Sequence, residues 1–73
     1  MIEVRLFATL RDGRGKIIQM EPGSVSTAGD VLQALDIPPE AVAILLINGF
    51  HSQPVHPVKD GDVLALFPPV GGG

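Results

Sequence analysis

The stretch TAGDVLQAL, residues 27–35, decides the fold of this chain. Its apolar side chains recur at positions 28, 31, 32 and 35, the spacing of one apolar stripe along an α-helix. Thr27 is a favourable N-cap, and Asp30 three residues later resembles the acid of a capping box. The segment Asp36-Ile37-Pro38-Pro39 is expected to end the helix, because proline cannot donate the next backbone hydrogen bond. The pattern therefore predicts a single amphipathic helix with one face to bury.

Strand-like runs separated by turn residues surround this helix. The runs are residues 2–7, 16–20, 42–47, 50–58 and 63–67. The first alternates apolar and polar residues, and a charged, Gly-rich turn joins it to the second, so the two predict a hairpin. The third is continuously apolar, which is typical of a strand covered on both faces. The fourth follows the turn signal Asn48-Gly49 and contains two prolines, so any strand there is short and lies at an edge.

These elements predict one small α+β domain. One helix stripe and one sheet face are all the core that 73 residues provide, so the helix must cover one face of a single sheet. The expected architecture is a mixed sheet of four to five strands packed on one main helix. We expect a single domain over residues 1–70 and a flexible Gly-Gly-Gly tail over residues 71–73.

The composition argues against several classes of function. The chain has no Cys, so it cannot form a disulfide, a thiolate zinc site or a cysteine nucleophile. A net charge of -3 gives no basic footprint for nucleic acid, and no apolar run is long enough to span a membrane. The chain begins without a signal-peptide pattern, so we expect a cytoplasmic protein. His51 and His56 have no acidic partner at ligand spacing, and no metal site is predicted.

The sequence FPPVGGG at residues 67–73 resembles the C-terminus of the ubiquitin-like sulfur carriers of the MoaD/ThiS family. The small subunit of molybdopterin synthase is the closer match within that family. VRLFATLR at residues 4–11, the turn Asn48-Gly49 and HPVKDGDV at residues 56–63 resemble further parts of the same family. The resemblance covers the whole chain and implies the β-grasp, or ubiquitin-like, fold.

The resemblance implies a sulfur carrier that serves as a protein cosubstrate rather than as an enzyme. In this family an E1-like enzyme uses ATP to adenylate the C-terminal glycine, which is Gly73 here, and a sulfur donor protein then supplies the sulfur of a thiocarboxylate. In molybdopterin synthesis the sulfur passes to a pterin precursor in a heterotetramer with a larger catalytic subunit. The family implies no cofactor bound to the carrier itself, and we expect no nucleic-acid or membrane partner.

The predicted reactive segment is the tail with its lead-in. The ionised carboxylate of Gly73 is a poor electrophile at neutral pH, so adenylation must first supply a leaving group. The glycines lack side chains and can enter a narrow slot, whereas the two prolines stiffen the exit from the sheet. The residues predicted to insert into partner active sites are Pro68, Pro69, Val70, Gly71, Gly72 and Gly73.

A docking surface is expected beside this tail. Strand parity places Phe7 on the solvent side of the first strand, and it places Phe67 outward if Leu64 and Leu66 point inward. The resemblance supports Phe7 and Phe67 at a partner interface and implies a third apolar anchor near His51. Phe50 is the alternative candidate for that anchor. The basic residues at positions 11, 14 and 16 are expected to form a solvated loop.

Other functions stay open on the sequence. A carrier for thiamin thiazole synthesis or for tRNA thiolation needs the same activated Gly73, and so does a ubiquitin-like modifier that is conjugated to lysines. A β-grasp interaction module with an inert tail belongs to a different class. Only that module would keep its function after deletion of Gly72 and Gly73.

Overall fold

The computed structural model of the chain describes residues 1–69. Within these residues five strands form one mixed sheet, and a single α-helix, α1 (Ala28–Ala34), packs on one of its faces. The strands are β1 (Ile2–Leu6), β2 (Ile17–Met20), β3 (Ile44–Ile47), β4 (Phe50–His51) and β5 (Val63–Phe67). This architecture confirms the predicted α+β class. Val70, within the predicted domain, and the predicted tail at residues 71–73 lie outside the described residues.

The strand order in the sheet is β2-β1-β5-β3-β4, so the last strand of the chain lies at the centre. β1 and β5 run parallel, while the other neighbouring pairs run antiparallel. Alternation along β1 sends every second side chain towards the helix, as the sequence predicts, and along β5 it is Leu64 and Leu66 that point inward. Most of the core comes from three strands and the helix, and the connecting segments add four residues: Ile2, Val4, Leu6, Leu45, Ile47, Leu64, Leu66, Ala28, Val31 and Leu32, with Leu10, Val25, Ile37 and Val58.

The start of α1 follows the predicted capping box. The Thr27 hydroxyl accepts a hydrogen bond from the Asp30 N–H at 3.2 Å, and the Asp30 carboxylate accepts one from the Thr27 N–H at 3.1 Å. The carboxylate also accepts from the Ser26 N–H at 2.9 Å. Hydrogen bonds from the backbone of Ser26 and Thr27 lower the pKa of Asp30. The charged carboxylate therefore helps to fix the first turn.

The helix α1 ends directly before residues 36–39, as predicted, but backbone hydrogen bonds of Asp36 and Ile37, rather than the prolines, form its end. The Ile37 N–H donates to the Leu32 carbonyl at 2.9 Å, and the Asp36 N–H donates to the Gln33 carbonyl at 3.1 Å. Asp36 has a φ of 59°, so these bonds form a Schellman motif with an aspartate in the left-handed position. The buried Ile37 side chain completes the motif.

Replacing Asp36 with glycine is expected to stabilise the fold by about 0.5–1 kcal/mol, since glycine adopts the left-handed region without a Cβ clash. The change also removes a negative charge from the negative end of the helix dipole. Urea unfolding measures the effect. Gln33→Gly, which places glycine inside the same helix, should instead lower the free energy of unfolding by about 1 kcal/mol. An Asp36→Gly variant that is less stable than the wild type contradicts the assignment.

The segment after β4 explains the glycine in the first turn of α1. The Gly29 N–H donates to the Pro54 carbonyl at 2.7 Å, and the Ala28 N–H donates to the His56 carbonyl at 2.9 Å. A Cβ built on Gly29 would lie 3.2 Å from the Pro54 carbonyl oxygen. The close approach of this segment therefore favours glycine there, at some cost in helix propensity.

Asp62 is a buried carboxylate directly before β5, and it links the turn at Asn48 to the turn at Lys59. It accepts hydrogen bonds from the Asn48 side-chain amide at 2.9 Å, from the Lys59 N–H at 2.9 Å and from the Lys59 ammonium at 3.0 Å. Burial alone raises the pKa of Asp62, but these bonds outweigh burial and lower the pKa below its ordinary value. The ionised carboxylate thus contributes to stability.

Asp62→Asn is expected to reduce the free energy of unfolding at pH 7 by about 2 kcal/mol, because the amide cannot accept all of these charge-assisted bonds. A lowered folded pKa means that this contribution is present above about pH 3.9 and is lost as the pH falls below it. The gap between wild type and variant should therefore close towards low pH in urea titrations. The exposed Asp12→Asn variant is the control, and a gap that persists in strong acid contradicts the assignment.

Candidate functional site

The chain leaves the sheet from the end of its central strand. The last two ladder bonds run from the Phe7 N–H to the Leu66 carbonyl at 3.2 Å and from the Ala43 N–H to the Phe67 carbonyl at 2.8 Å. The prolines at positions 68 and 69 have no N–H, so they cannot extend the pairing to either neighbouring strand. The two prolines therefore determine where β5 ends and where the chain leaves the sheet.

The two prolines of the predicted lead-in are described, with Pro68 half-buried and Pro69 exposed. The other residues of the predicted reactive segment lie outside the described residues: Val70, Gly71, Gly72 and Gly73. Their insertion into partner active sites, and the chemistry of the Gly73 carboxylate, stay predictions.

Phe7 and Phe67 stack on each other beside this exit. Their ring centroids are 4.2 Å apart and their planes differ by 11°. Both rings lie on the side of the sheet that faces away from α1, as parity predicts. Each ring is half-buried rather than fully exposed, because each covers part of the other. The pair forms a flat aromatic surface directly before the tail.

The strand register extends this surface across β3. Ile44 lies opposite Phe67, and Leu46 lies opposite Ala65. Ile44 is 39% exposed and Leu46 is half-buried. The prediction that residues 42–47 form a strand covered on both faces is therefore wrong. A single helix covers one sheet face, so every second apolar residue of β3 faces outward.

These side chains form an apolar surface at the root of the tail, which we call the outer-face patch: Phe7, Phe67, Ile44, Leu46 and Ala65. The sequence pointed to the two phenylalanines but missed the other three residues. The sequence signal that could have identified them is the single predicted helix. One helix covers only one of the two sheet faces, so every second residue of β3 must face outward.

The register separates the two candidates for a third anchor. In the β3–β4 hairpin, Leu46 lies opposite His51 and Ile47 lies opposite Phe50. Residues directly opposite each other share a face, so His51 lies on the same face as the outer-face patch. Phe50 lies on the helix side of the sheet, 75% exposed at its edge. Phe50 therefore does not join Phe7 and Phe67, and the predicted anchor position holds a histidine.

The charged residues of β1 lie on the same face as the patch. Arg5 donates from Nε to the Glu3 carboxylate, and this hydrogen bond lowers the pKa of Glu3. Arg5 lies opposite Ala65, so the ion pair borders the outer-face patch. An apolar centre with a charged rim is the usual composition of a protein-binding surface.

The hairpin loop is more ordered than a solvated loop. The Arg14 guanidinium donates to the carbonyl of Leu35 at 3.0 Å, of Asp36 at 3.1 Å and of Leu10 at 3.2 Å. These bonds tie the loop to the C-terminus of α1, where carbonyl groups lack helical partners. Arg14 therefore has a structural role that its sequence context did not reveal.

Residues 1–69 contain neither a grouping of side chains suited to a metal ion nor a helix suited to a membrane. In that part of the chain no three His, Asp or Glu side chains are grouped so that they could hold a metal ion. The helices of the same residues include none that is long and apolar enough to cross a membrane.

The chain is similar to known proteins in both sequence and fold. The sequence model of the ThiS family matches residues 4–73. Small archaeal modifier protein 3 of Haloferax volcanii is 33% identical over an alignment of 90 positions, which covers 99% of this chain and 98% of that protein. SAMP1 from Haloferax volcanii superposes with a TM-score of 0.76 at 30% identity, covering 99% of this chain and 98% of the other.

A further structural likeness concerns a solved complex of subunits 1 and 2 of molybdopterin-converting factor from Helicobacter pylori. One chain of that complex superposes with a TM-score of 0.67 at 24% identity, covering 99% of this chain and 97% of the other. At that identity the likeness shows the fold alone.

Proposed function

This chain belongs to the ThiS family of ubiquitin-like small sulfur carriers and modifiers, and from that premise we propose that it carries sulfur on Gly73 for molybdopterin biosynthesis. The observation that carries the proposal is the position of the chain's exit. The central strand β5 ends in a proline pair beside the outer-face patch, and a run of three glycines follows. A partner that docks on the patch receives the glycines next to its own surface.

The chemistry needs only the terminal carboxylate from this chain. An E1-like enzyme transfers AMP from ATP to the Gly73 carboxylate and releases pyrophosphate. A sulfur donor protein then delivers sulfide, AMP leaves, and a thiocarboxylate remains. ATP is bound by the partner enzyme in this scheme, and the carrier contributes its terminal acyl group.

The proposed acceptor complex pairs this carrier with a larger catalytic subunit in a heterotetramer. The solved complex of subunits 1 and 2 of molybdopterin-converting factor supports such a pairing for this fold. In the proposed complex the outer-face patch contacts the larger subunit while the tail enters its active site. The same patch serves the adenylating enzyme, so the two partners bind in turn. The proposed compartment is the cytoplasm.

A second candidate function is a ubiquitin-like protein modifier. Two relatives favour it, because both are named as modifiers. They are small archaeal modifier protein 3 and SAMP1, the small archaeal modifier protein 1. The first step is the same acyl-adenylate, and the functions differ in the nucleophile, which is a lysine amine for a modifier and sulfide for a carrier. Thiazole synthesis and tRNA thiolation differ only in the later acceptor. An inert interaction module requires no adenylate.

ATP–pyrophosphate exchange with the E1-like enzyme of the same host tests the proposal. The exchange should depend on this chain, since a reversible adenylate at Gly73 returns labelled pyrophosphate to ATP. If exchange is absent while the enzyme activates another carrier, the proposal is contradicted. The inert interaction module is then the remaining explanation. Incubation with a pterin precursor and with host proteins then distinguishes sulfur transfer from lysine conjugation.

A further inference from the structure

The chain reverses direction immediately after Phe7. Residues Ala8–Arg11 form a 3-10 turn, and Ala8 adopts a φ of 53°. The left-handed region is unfavourable for an alanine, so the surrounding structure must hold this conformation. Its consequence is that Arg11 returns to the end of β1 and lies next to the side chain of Phe7.

Arg11 makes two contacts there. Its Nε donates to the Leu6 carbonyl at 2.8 Å, and its guanidinium carbon lies 5.4 Å from the centroid of the Phe7 ring. The hydrogen bond fixes the guanidinium on the backbone, and the ring distance is within the range of a cation–π interaction. Because the Phe7 ring stacks on Phe67, a continuous line of contacts joins Arg11 to Phe67, which directly precedes Pro68.

We propose that Arg11 is a positioning residue for docking through the outer-face patch. Arg11 holds the Phe7 ring flat against Phe67 before a partner binds. This inference rests on the proposed function in one respect, namely that the adenylating enzyme docks on the outer-face patch. A planar guanidinium with one donor committed to the backbone restrains an aromatic ring better than a flexible ammonium. Without Arg11 the partner must order the rings on binding, which weakens association.

The intramolecular part of the proposal is tested by NMR on the isolated chain. In Arg11→Gln the contacts between the ring protons of Phe7 and Phe67 should weaken, and their ring-current shifts should shrink. Arg11→Lys keeps the charge and should restore them only in part. Lys16→Gln removes one positive charge from the same exposed loop and should leave both rings unchanged. Ring contacts that persist in Arg11→Gln overturn the proposal.

The docking part is tested by the pyrophosphate-exchange kinetics of the same variants. Arg11→Gln should raise the KM for this chain about three- to tenfold with kcat unchanged, as expected for loss of a preorganising contact. Lys16→Gln should match the wild type. An unchanged KM despite loosened rings overturns the proposal, and so does full rescue by Arg11→Lys, which would indicate a simple charge contact. A wild-type chain that supports no exchange contradicts the proposed function instead, and the NMR result still decides the role of Arg11.

Discussion

Deletion of Gly72 and Gly73 is expected to abolish ATP–pyrophosphate exchange while leaving the stability of the fold unchanged. The proposed chemistry uses a single acyl group, which is the terminal carboxylate of Gly73. After the deletion the terminal carboxylate belongs to Gly71, which is two residues closer to the sheet. Each extended residue spans about 3.3–3.6 Å, so the carboxylate falls short of the adenylation site by about 7 Å. Distances of that size remove productive geometry altogether.

The deletion leaves the core in place, because every buried side chain of the core lies within residues 2–66. The thermal midpoint should therefore match that of the wild type. A Gly23→Ala variant is the control, since it adds one methyl group outside the tail, where an added Cβ meets nothing within 4 Å. Exchange that survives the deletion contradicts the assigned role of Gly73, and a lowered thermal midpoint contradicts the assigned limits of the core.

Phe67→Asp is expected to weaken association with the adenylating enzyme by at least about thirtyfold, the effect of losing an aromatic hot spot worth about 2 kcal/mol. The variant removes one ring of the stacked pair and places a charge next to Ile44 in the outer-face patch. Burial of an unpaired carboxylate in the interface adds to the loss. Since Phe67 is only half-buried in the free chain, the fold should tolerate the change.

Phe50→Asp provides the matched control for this prediction. It makes the same substitution at a phenylalanine that is 75% exposed on the helix side of the sheet. Its affinity for the adenylating enzyme, measured by titration calorimetry, should equal that of the wild type. Equal losses in the two variants would mean that docking is not confined to the outer face. Circular dichroism on both variants checks that each is folded.

Features that depend on neighbours in the sequence were predictable. The start of α1 is one, because Thr27 and Asp30 are three residues apart and cap the same turn. The alternation of β1 is another, since its apolar and polar residues follow the period of a strand. The end of α1 was predicted in the right segment, but its cause was not. Prolines are a strong stop signal, whereas an aspartate in the left-handed position at Asp36 gives a weak one.

Features that depend on pairing distant segments were not predictable from pattern alone. The faces of Phe50 and His51 follow from the β3–β4 register, and the exposure of Ile44 follows from what the helix covers. The continuous apolar run at residues 42–47 carries no alternation from which the exposure of Ile44 could be predicted. The stack of Phe7 on Phe67 joins residues from opposite ends of the chain. Parity placed both rings on one face, but only the parallel pairing of β1 and β5 brings them together.

The central claim is that Gly73 carries sulfur, and the intact mass of the chain tests it most directly. The chain is incubated with ATP, the E1-like enzyme of its host and a sulfide source, beside the variant that lacks Gly72 and Gly73. The account predicts a mass gain equal to one sulfur in place of one oxygen, in the full-length chain only. An unchanged mass, with an enzyme that thiocarboxylates another carrier in the same mixture, would contradict it.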